Sequence, residues 1–473
     1  MRTRPRIAAR SGAALSLLLA LSAGCHTPSS TTRAPSAPPN ILLILADDLG
    51  YADLGFTGCT DIPTPHLDAL AREGVFCTDA HVTASVCAPS RAGLITGRYP
   101  QRQGFECNLA NGEGLLAGTE TFPALLRRQG YTTALIGKWH LGALPHNHPR
   151  ALGFDHFSGL IGGSRSYFPE EKPPGPARRL ERDGVPVPES DFTYLTDWLT
   201  DEGIRRIESR DRDRPLFLLL SYTAPHTPMH ARPDLLERFS TIESPRRRKY
   251  AALVAALDEG VGRLRATLTA EGIAEETLIV FLSDNGGATN NASDNGGWRG
   301  MKGSKWEGGH RVPWIAHWPA RFPAGRQNAL ISSLDLAPTF LAAAGAPPLA
   351  EADGLDLLPL LAGRGATPPR EELYWRRAVA ASVRQGSWKL IRVEEPDGRV
   401  RPPILVDLSR DPGEVENRAE AEPERVRALE ARLAAWEAGL IPPRWLTAEV
   451  WRENQRKKHE IDRTGREAER KVP

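Results

Sequence analysis

The sequence predicts an α/β fold: one large, mostly parallel sheet sandwiched by helices, followed by a smaller C-terminal antiparallel sheet with a helix packed on it. Three observations carry this expectation. Short apolar runs at 41–46, 132–136, 216–220 and 278–282 have the composition of strands buried on both faces. Segments with helical patterning at 66–73, 121–129, 196–207 and 250–269 lie between them, the alternation that a parallel sheet with crossover helices requires. The composition then changes near 363–369. Beyond it come strand candidates at 379–383, 388–393 and 404–408, and a helix starting at Pro423 that places Val426, Leu429, Leu433 and Trp436 on one face and ends before Gly439.

At the N-terminus, Arg2, Arg4, Arg6 and Arg10 precede an apolar run at 13–21 and then Ser22-Ala23-Gly24-Cys25, so 1–25 reads as a secretory signal peptide. The run is too short to span a bilayer as an ordinary helix. Small residues leading into one Cys resemble a bacterial lipoprotein signal, in which Cys25 would be lipidated; simple secretion is the alternative. Residues 26–39 are rich in Ser, Thr and Pro, as in a tether. The expected organisation is therefore an exported protein, periplasmic or at the cell surface. Its α/β body would span 40–365, a C-terminal α+β subdomain 366–441, and a charged, peripheral tail 442–473.

The chain has 473 residues with 60 basic and 58 acidic side chains, a net charge of +2, which gives no overall attraction to nucleic acid or anionic membrane. Any preference for an anion must come from locally arranged groups. Only nine of the basic residues are lysines. Five cysteines, none in a C-x-x-C pair, argue against a disulfide-dense scaffold and a zinc site; Cys59, Cys77 and Cys107 fit one disulfide and a free thiol, or none.

Each predicted main-sheet strand runs directly into a polar cluster: Asp47-Asp48; Gly137-Lys138-Trp139-His140; Ser221 through His226; and Ser283-Asp284-Asn285-Gly286. Ligands of parallel sheets bind beyond the carboxyl ends of the strands, so these residues can converge on one catalytic or metal rim. A second Ser-Asp-Asn-Gly-Gly, at 293–297, follows no strand, and Asp294 and Asn295 are expected in a loop near the pocket. In Cys87-Ala88-Pro89-Ser90-Arg91, followed by Ala92-Gly93-Leu94-Ile95-Thr96-Gly97, Pro89 and Gly97 suit the ends of a short helix. Cys87 then sits at a helix N-terminus that favours an anion, with Arg91 over the same turn.

This segment resembles the signature of the type I, formylglycine-dependent sulfatases of the alkaline phosphatase superfamily, Cys-x-Pro-Ser-Arg-x-x-x-Leu-Thr-Gly, with Ile95 in place of the Leu. The opening strand with Asp47-Asp48, Gly137-Lys138-Trp139-His140-Leu141-Gly142, Ser283-Asp284-Asn285-Gly286 and Lys302-Gly303-Ser304-Lys305-Trp306-Glu307-Gly308-Gly309 are similar to further elements of that family. The resemblance implies an alkaline phosphatase-like fold and a sulfuric ester hydrolase whose Cys87 is oxidised to formylglycine by a dedicated generating system. It implies Ca²⁺, with Mg²⁺ as the alternative ion, at Asp47, Asp48, Asp284, Asn285 and residue 87. By the same matching, Arg91 would support the formylglycine hydrate and Lys138 and Lys302 would contact sulfate. His140 would orient the hydrate and act as base, and His226 would protonate the leaving oxygen, with Lys302 as an additional candidate.

The expected substrate is a sulfated carbohydrate, with Trp298, Arg299, Trp306, His146, His148 and Arg165 as candidate sugar contacts. Two other readings remain open from the residues: a formylglycine-dependent phosphonate monoester or phosphodiester hydrolase, and an unmatured surface lipoprotein that binds sulfated glycan without turnover.

Overall fold

The computed structural model describes residues 38–108, 112–172, 174–364, 370–445 and 448–459. The expected signal peptide at 1–25, the candidate lipidation site Cys25, most of the expected 26–39 tether, the 365/366 boundary and the end of the tail lie outside the described residues.

The four apolar runs form the middle of one sheet: β1 (Asn40–Ala46), β3 (Thr132–Lys138), β5 (Leu216–Ser221) and β6 (Thr277–Ser283). With β2 (Val75–Cys77), β4 (His156–Leu160) and β7 (Trp314–His317), the order is Gly325–Gln327, β2, β7, β6, β1, β5, β3, β4, Glu181–Arg182, Val185–Pro186. The central five strands, β6 to β4, are parallel, and β7 turns antiparallel on β6. Successive side chains serve two cores. Leu43, Leu45, Leu219 and Val280 face one core, and Leu42, Ile44, Leu218 and Phe281 face the other. This is why the runs are continuously apolar rather than alternating.

Helices α1 (Pro65–Glu73), α4 (Leu195–Glu208) and α5 (Pro245–Ala270) supply side chains to the second core. Helices α2 (Cys87–Thr96) and α3 (Phe122–Arg128) serve the first. Local sequence sets their starts. The Thr121 side chain accepts from the Ala124 N–H ahead of α3, and Ser244 accepts from Arg247 N–H ahead of α5, where Pro245 occupies the first helical position. That cap starts α5 five residues before the expected position.

The small sheet has four antiparallel strands: β8 (Glu372–Arg377), β9 (Ala380–Gln385), β10 (Trp388–Val393) and β11 (Ile404–Asp407). The β8 strand is an addition to the expected set, because it alternates Leu373 and Trp375 with half-buried polar residues instead of forming an apolar run. Helix α6 (Pro423–Ala438) lays Val426, Leu429 and Leu433 on Ala381, Val383, Leu390 and Leu405.

Buried polar groups dock this sheet on the main domain. Lys389 Nζ donates to Glu307 at 3.0 Å and to Glu414 at 2.9 Å, Arg384 pairs with Asp79 at 2.7 Å, and Trp375 Nε1 donates to the Val82 carbonyl at 2.7 Å. His81, Glu307 and His310 meet in the same place, but Arg384 and Lys389 already supply its cations, so the group is a docking lock.

The tail corrects an expectation. Residues Glu449–Lys458 form α7, and His459 beyond it is buried, because Arg456 donates to the Glu394 carbonyl at 3.0 Å and ties the helix to the small sheet. The described stretch 448–459 of the tail is therefore packed on the domain rather than peripheral to it. No helix among the described residues is long and apolar enough to cross a membrane.

Gly137, next to Lys138, has φ +111°, and a Cβ there would lie 1.9 Å from the Ser221 carbonyl oxygen on β5. Gly137→Ala should cost about 3 kcal/mol or more, since it combines a disfavoured φ with a clash against backbone. Gly130→Ala, with φ +99° and open space, should cost only about 1 kcal/mol. Denaturant unfolding midpoints of the two variants check the difference.

Candidate active site

Strand register brings the polar clusters together. Ala46 pairs with Ser283, so Asp47-Asp48 and Asp284-Asn285 leave adjacent strands side by side, and Gly137 pairs with Ser221, which sets Lys138 against the end of β5. The turn after β1 is closed by Asp47 N–H donating to the Ala224 carbonyl at 3.0 Å and Asp48 N–H to Asp284 Oδ1 at 3.3 Å. Asp48 adopts φ +64°, a conformation that Asp tolerates better than most residues and that the paired strands hold in place.

Cys87 is the first residue of α2, every residue of which is buried. Its Sγ lies 3.6 Å from Asp47 Oδ1 and 3.9 Å from Asp48 Oδ1, and Lys302 Nζ donates to it at 2.9 Å. Burial pushes the thiol up to about 12 against the pull of Lys138 and Lys302, so at neutral pH the side chain is a protonated thiol, not a thiolate nucleophile. The Asn108 side chain accepts from Ala88 N–H at 3.2 Å and so occupies one free donor at the head of α2. No sequence pattern singles out Asn108.

Cations ring the carboxylates. Lys138 Nζ, fully buried, donates to Asp47 Oδ2 at 2.7 Å, and Lys302 Nζ donates to Asp48 Oδ1 at 2.6 Å. Arg91 spans from Asp284 Oδ2 at 2.9 Å to the Lys138 carbonyl at 3.1 Å and Ser221 Oγ at 2.6 Å. Ser221 in turn donates to the Lys138 carbonyl at 2.7 Å. Its place at a strand end is visible in the sequence, but its part in seating Arg91 is not. Burial alone would raise Asp47; Lys138, His226, Arg91 and Lys302 outweigh it and hold this carboxyl well below the usual carboxylate range. Asp284 is pushed up to about 6 by burial and by the neighbouring Asp47 charge, despite Arg91.

The two histidines differ. His140, at φ +63°, has its Nδ1 buried without a hydrogen-bond partner; burial and then Lys138 and Arg91 keep the ring well below its ordinary value, and so neutral. His226 Nδ1 lies 2.5 Å from the Thr227 carbonyl, which can only accept, so Nδ1 carries a proton and Nε2 is left facing Asp48 Oδ2 at 3.5 Å. Its side chain is 18% exposed, placing it at the mouth of the pocket.

The donor set fits a hard divalent cation. Ligand atoms of Asp47, Asp48, Cys87 and His226 lie within 4.8 Å of one another, and Asn285 Oδ1 is buried beside them with no hydrogen-bond partner while its Nδ2 donates to Asp48 at 2.7 Å. An orphaned amide oxygen next to crowded carboxylates is what an oxygen-ligated ion would satisfy.

Asn295 lies in a loop, as expected, and has a structural part there: its Oδ1 accepts from Tyr51 N–H at 3.2 Å and Gly287 N–H at 3.0 Å, and its Nδ2 donates to the Gly300 and Gly308 carbonyls, so it clamps the loop carrying Lys302. Lys305 points away from the carboxylates toward Ser85 Oγ at 3.4 Å; burial, and then Arg377, pushes it down to about 7. Most of the candidate sugar contacts are structural. Trp306 is fully buried under Arg299, Arg165 pairs with Glu189 at 2.6 Å, and His148 with Glu181 at 2.8 Å. Trp298 stacks under Arg311, which leaves His146, an exposed side chain, as the member of the set most open to a ligand. Cys59, Cys77, Cys87 and Cys107 are all free thiols.

The sulfatase family model matches residues 39–346, and the C-terminal model described as N-sulphoglucosamine sulphohydrolase matches 301–437. Human arylsulfatase A is 35% identical, with 88% of this chain and 90% of that protein aligned. Canine N-acetylgalactosamine-6-sulfatase is 32% identical over 80% and 81% of the two chains. The crystal structure of Ps i-CgsB in complex with k-i-k-neocarrahexaose superposes with a TM-score of 0.81 at 34% identity, covering 92% of this chain and 100% of that one. A strand-end carboxylate pocket facing Cys87, the family match across most of the folded chain and these relatives agree: the chain belongs to the sulfatase family and is a sulfuric ester hydrolase of alkaline phosphatase-like fold.

Proposed function

We propose that this sulfatase is exported and removes sulfate from a sulfated carbohydrate, using formylglycine made from Cys87 and a bound Ca²⁺. The observation that carries the reading is the setting of Cys87: a protonated thiol at a buried helix start, between two carboxylates and in contact with the Lys302 ammonium. As a thiol it is inert there. Oxidised to formylglycine by a generating system, the same position supplies a gem-diol oxygen for attack on sulfur. Asp47, Asp48, Asp284, Asn285 Oδ1 and the residue 87 oxygen would hold the ion, which when bound supplies positive charge to the nucleophile and to a sulfate oxygen; Mg²⁺ is the smaller alternative.

The chain's own residues divide the remaining work. Lys138 and Lys302 present compact ammonium donors to sulfate oxygens. Arg91, fixed by Asp284, Ser221 and the Lys138 carbonyl, fills the floor behind residue 87 and keeps its environment cationic. Neutral His140 offers Nδ1 as a hydrogen-bond partner for the hydrate and as the base that takes its proton. His226, held through Nδ1, turns Nε2 to the pocket mouth; in the form that carries a proton on both ring nitrogens, Nε2 would protonate the departing oxygen. The carbohydrate assignment is supported by the sugar-sulfate name of the N-acetylgalactosamine-6-sulfatase relative and the neocarrahexaose bound to Ps i-CgsB. Export is supported by the arginine-flanked apolar run and Cys25, which also provides for a lipid anchor.

Desulfation of a panel of defined sulfated mono- and oligosaccharides, run beside paired aryl sulfate and aryl phosphodiester substrates, tests the reading. Turnover of at least one sulfated sugar, with sulfate esters preferred over phosphodiesters, is expected. A preference for the phosphodiester would favour phosphonate or phosphodiester hydrolysis, and unmodified Cys87 in the native host with glycan binding but no turnover would make the protein a binding lipoprotein.

His226→Ala should slow esters with poor leaving groups by about 10²–10⁴-fold and those with good ones far less, because only the former need a proton in the transition state. A Brønsted plot of kcat against leaving-group pKa for parent and variant checks this. An equal loss on every ester would remove His226 from the acid role.

Chelation should lower the thermal midpoint, and Ca²⁺ at a hundredfold excess over Kd should restore about 3 kcal/mol of stability. The Asp48→Asn variant should lose most of that response. Differential scanning calorimetry with and without ion reads it directly.

A further inference from the structure

We propose that the C-terminal tail belongs to the sulfate-binding apparatus: Lys458 and His459 hold the backbone of the Lys302 loop and so act as positioning residues for the ammonium that faces residue 87. The proposal rests on the reading of Lys302 as a sulfate ligand given above.

The loop has little regular structure to hold it. Gly300 and Gly303, on either side of Lys302, have φ +83° and +90°, and within the main domain the backbone is tied by Lys302 N–H to the Gly287 carbonyl at 2.9 Å and Gly303 N–H to the Ser85 carbonyl at 2.7 Å. These bonds satisfy N–H groups. The outward-facing groups of the loop are met by the tail. Lys458 Nζ donates to the Lys302 carbonyl at 2.5 Å, Trp306 Nε1 donates to the Lys458 carbonyl at 2.7 Å, and Lys305 N–H donates to His459 Nε2 at 2.8 Å. His459 Nδ1 lies 2.6 Å from the Gln455 carbonyl, which can only accept, so the ring is a neutral tautomer with Nε2 as acceptor. The tail thus gives one hydrogen bond and receives two, on three residues of a five-residue stretch.

The tail is itself anchored. Arg456 Nε donates to the Glu394 carbonyl at 3.0 Å, and Arg401 Nη1 donates to the Arg456 carbonyl at 3.0 Å, both joining it to the small sheet and its flanking loop. A chain of contacts therefore runs from the end of β10 through α7 to the Lys302 backbone. Attack on sulfur demands tighter alignment of the sulfate group with residue 87 than binding does, so an ammonium displaced by a fraction of an ångström loses more in the transition state than in the ground state. The signature of a positioning role is a fall in kcat larger than the rise in KM.

The test uses the full chain, with turnover of an aryl sulfate normalised to formylglycine content by mass spectrometry. Lys458→Met and His459→Ala should each lower kcat ten- to a hundredfold with KM changed less than threefold and the thermal midpoint within a few degrees of the parent. His459→Gln, which keeps an acceptor, should return to within threefold of the parent. On a Lys302→Ala background, Lys458→Met should add less than twofold, because its effect passes through Lys302. Parental kcat in both Lys458→Met and His459→Ala, or an undiminished Lys458→Met effect on that background, would overturn the proposal. Lys302→Ala with parental turnover would instead overturn the sulfate-ligand reading beneath it. Should His459→Ala fail to fold, Lys458→Met and the double-variant comparison still decide the matter.

Discussion

Three carboxylates, Asp47, Asp48 and Asp284, are buried together at the end of the central strands, and the rest of the pocket answers that concentration of negative charge. Left to themselves they could not all ionise in so dry a place. Lys138 and Lys302 each take one carboxylate, Arg91 takes the third, and the unpartnered Asn285 oxygen is where the proposed divalent ion would add to them. The split between a deeply ionised Asp47 and an Asp284 pushed up to about 6 is the residue of an incomplete balance. The proposed ion would resolve it by adding positive charge, and an anionic ligand would re-employ the lysines.

The fold makes this concentration possible. Strand β1 sits between β6 and β5, so the acidic pairs emerge in register on neighbouring strands while β3 brings Lys138 from the next strand but one. Residues more than 230 positions apart, as Asp48 and Asp284 are, are thereby placed by backbone pairing, whose geometry is far stiffer than that of a loop. Cys87 and Arg91, both on α2, and Lys302 arrive from outside the sheet. Cys87 is fixed by a wholly buried helix, and Lys302 is held by a glycine-flanked loop clamped by Asn295 on one side and by the tail on the other.

The contrast explains which features are legible in the sequence. Buried parallel strands announce themselves as continuous apolar runs, and their polar ends mark the site, so Asp47, Asp48, Lys138, Asp284 and Asn285 can be placed from the sequence alone. Groups that act through hydrogen bonds between remote segments leave no such trace. Asn108 meets the head of α2 only after the chain folds back, Ser221 looks like any strand-terminal serine, and His459 sits in a stretch whose charge suggests solvation. Composition also misleads. Tryptophan and arginine near the motifs suggest sugar contacts, yet Trp306 and Arg299 stack on each other and Arg165 turns inward to Glu189, because an indole and a guanidinium pack on each other as readily as on a ligand.

The uneven use of lysine and arginine follows the same physics. Where two surfaces are pinned together, arginine is used and its planar fork engages one carboxylate with two nitrogens, as in Arg102 with Asp353 and Arg384 with Asp79. Where a single charge must serve acceptors at different angles in a confined space, lysine is used: Lys389 between Glu307 and Glu414, and Lys302 between Asp48 and residue 87. A guanidinium at 302 would bring a wider, flat group that cannot approach both a carboxylate and the atom attached to Cβ of residue 87 without displacing one of them. A sulfate group, tetrahedral and anionic, makes the same demand, since its oxygens point in different directions from one small centre. In a chain that otherwise relies on arginine, Lys302 and Lys389 therefore stand where shape, more than charge, limits what can bind.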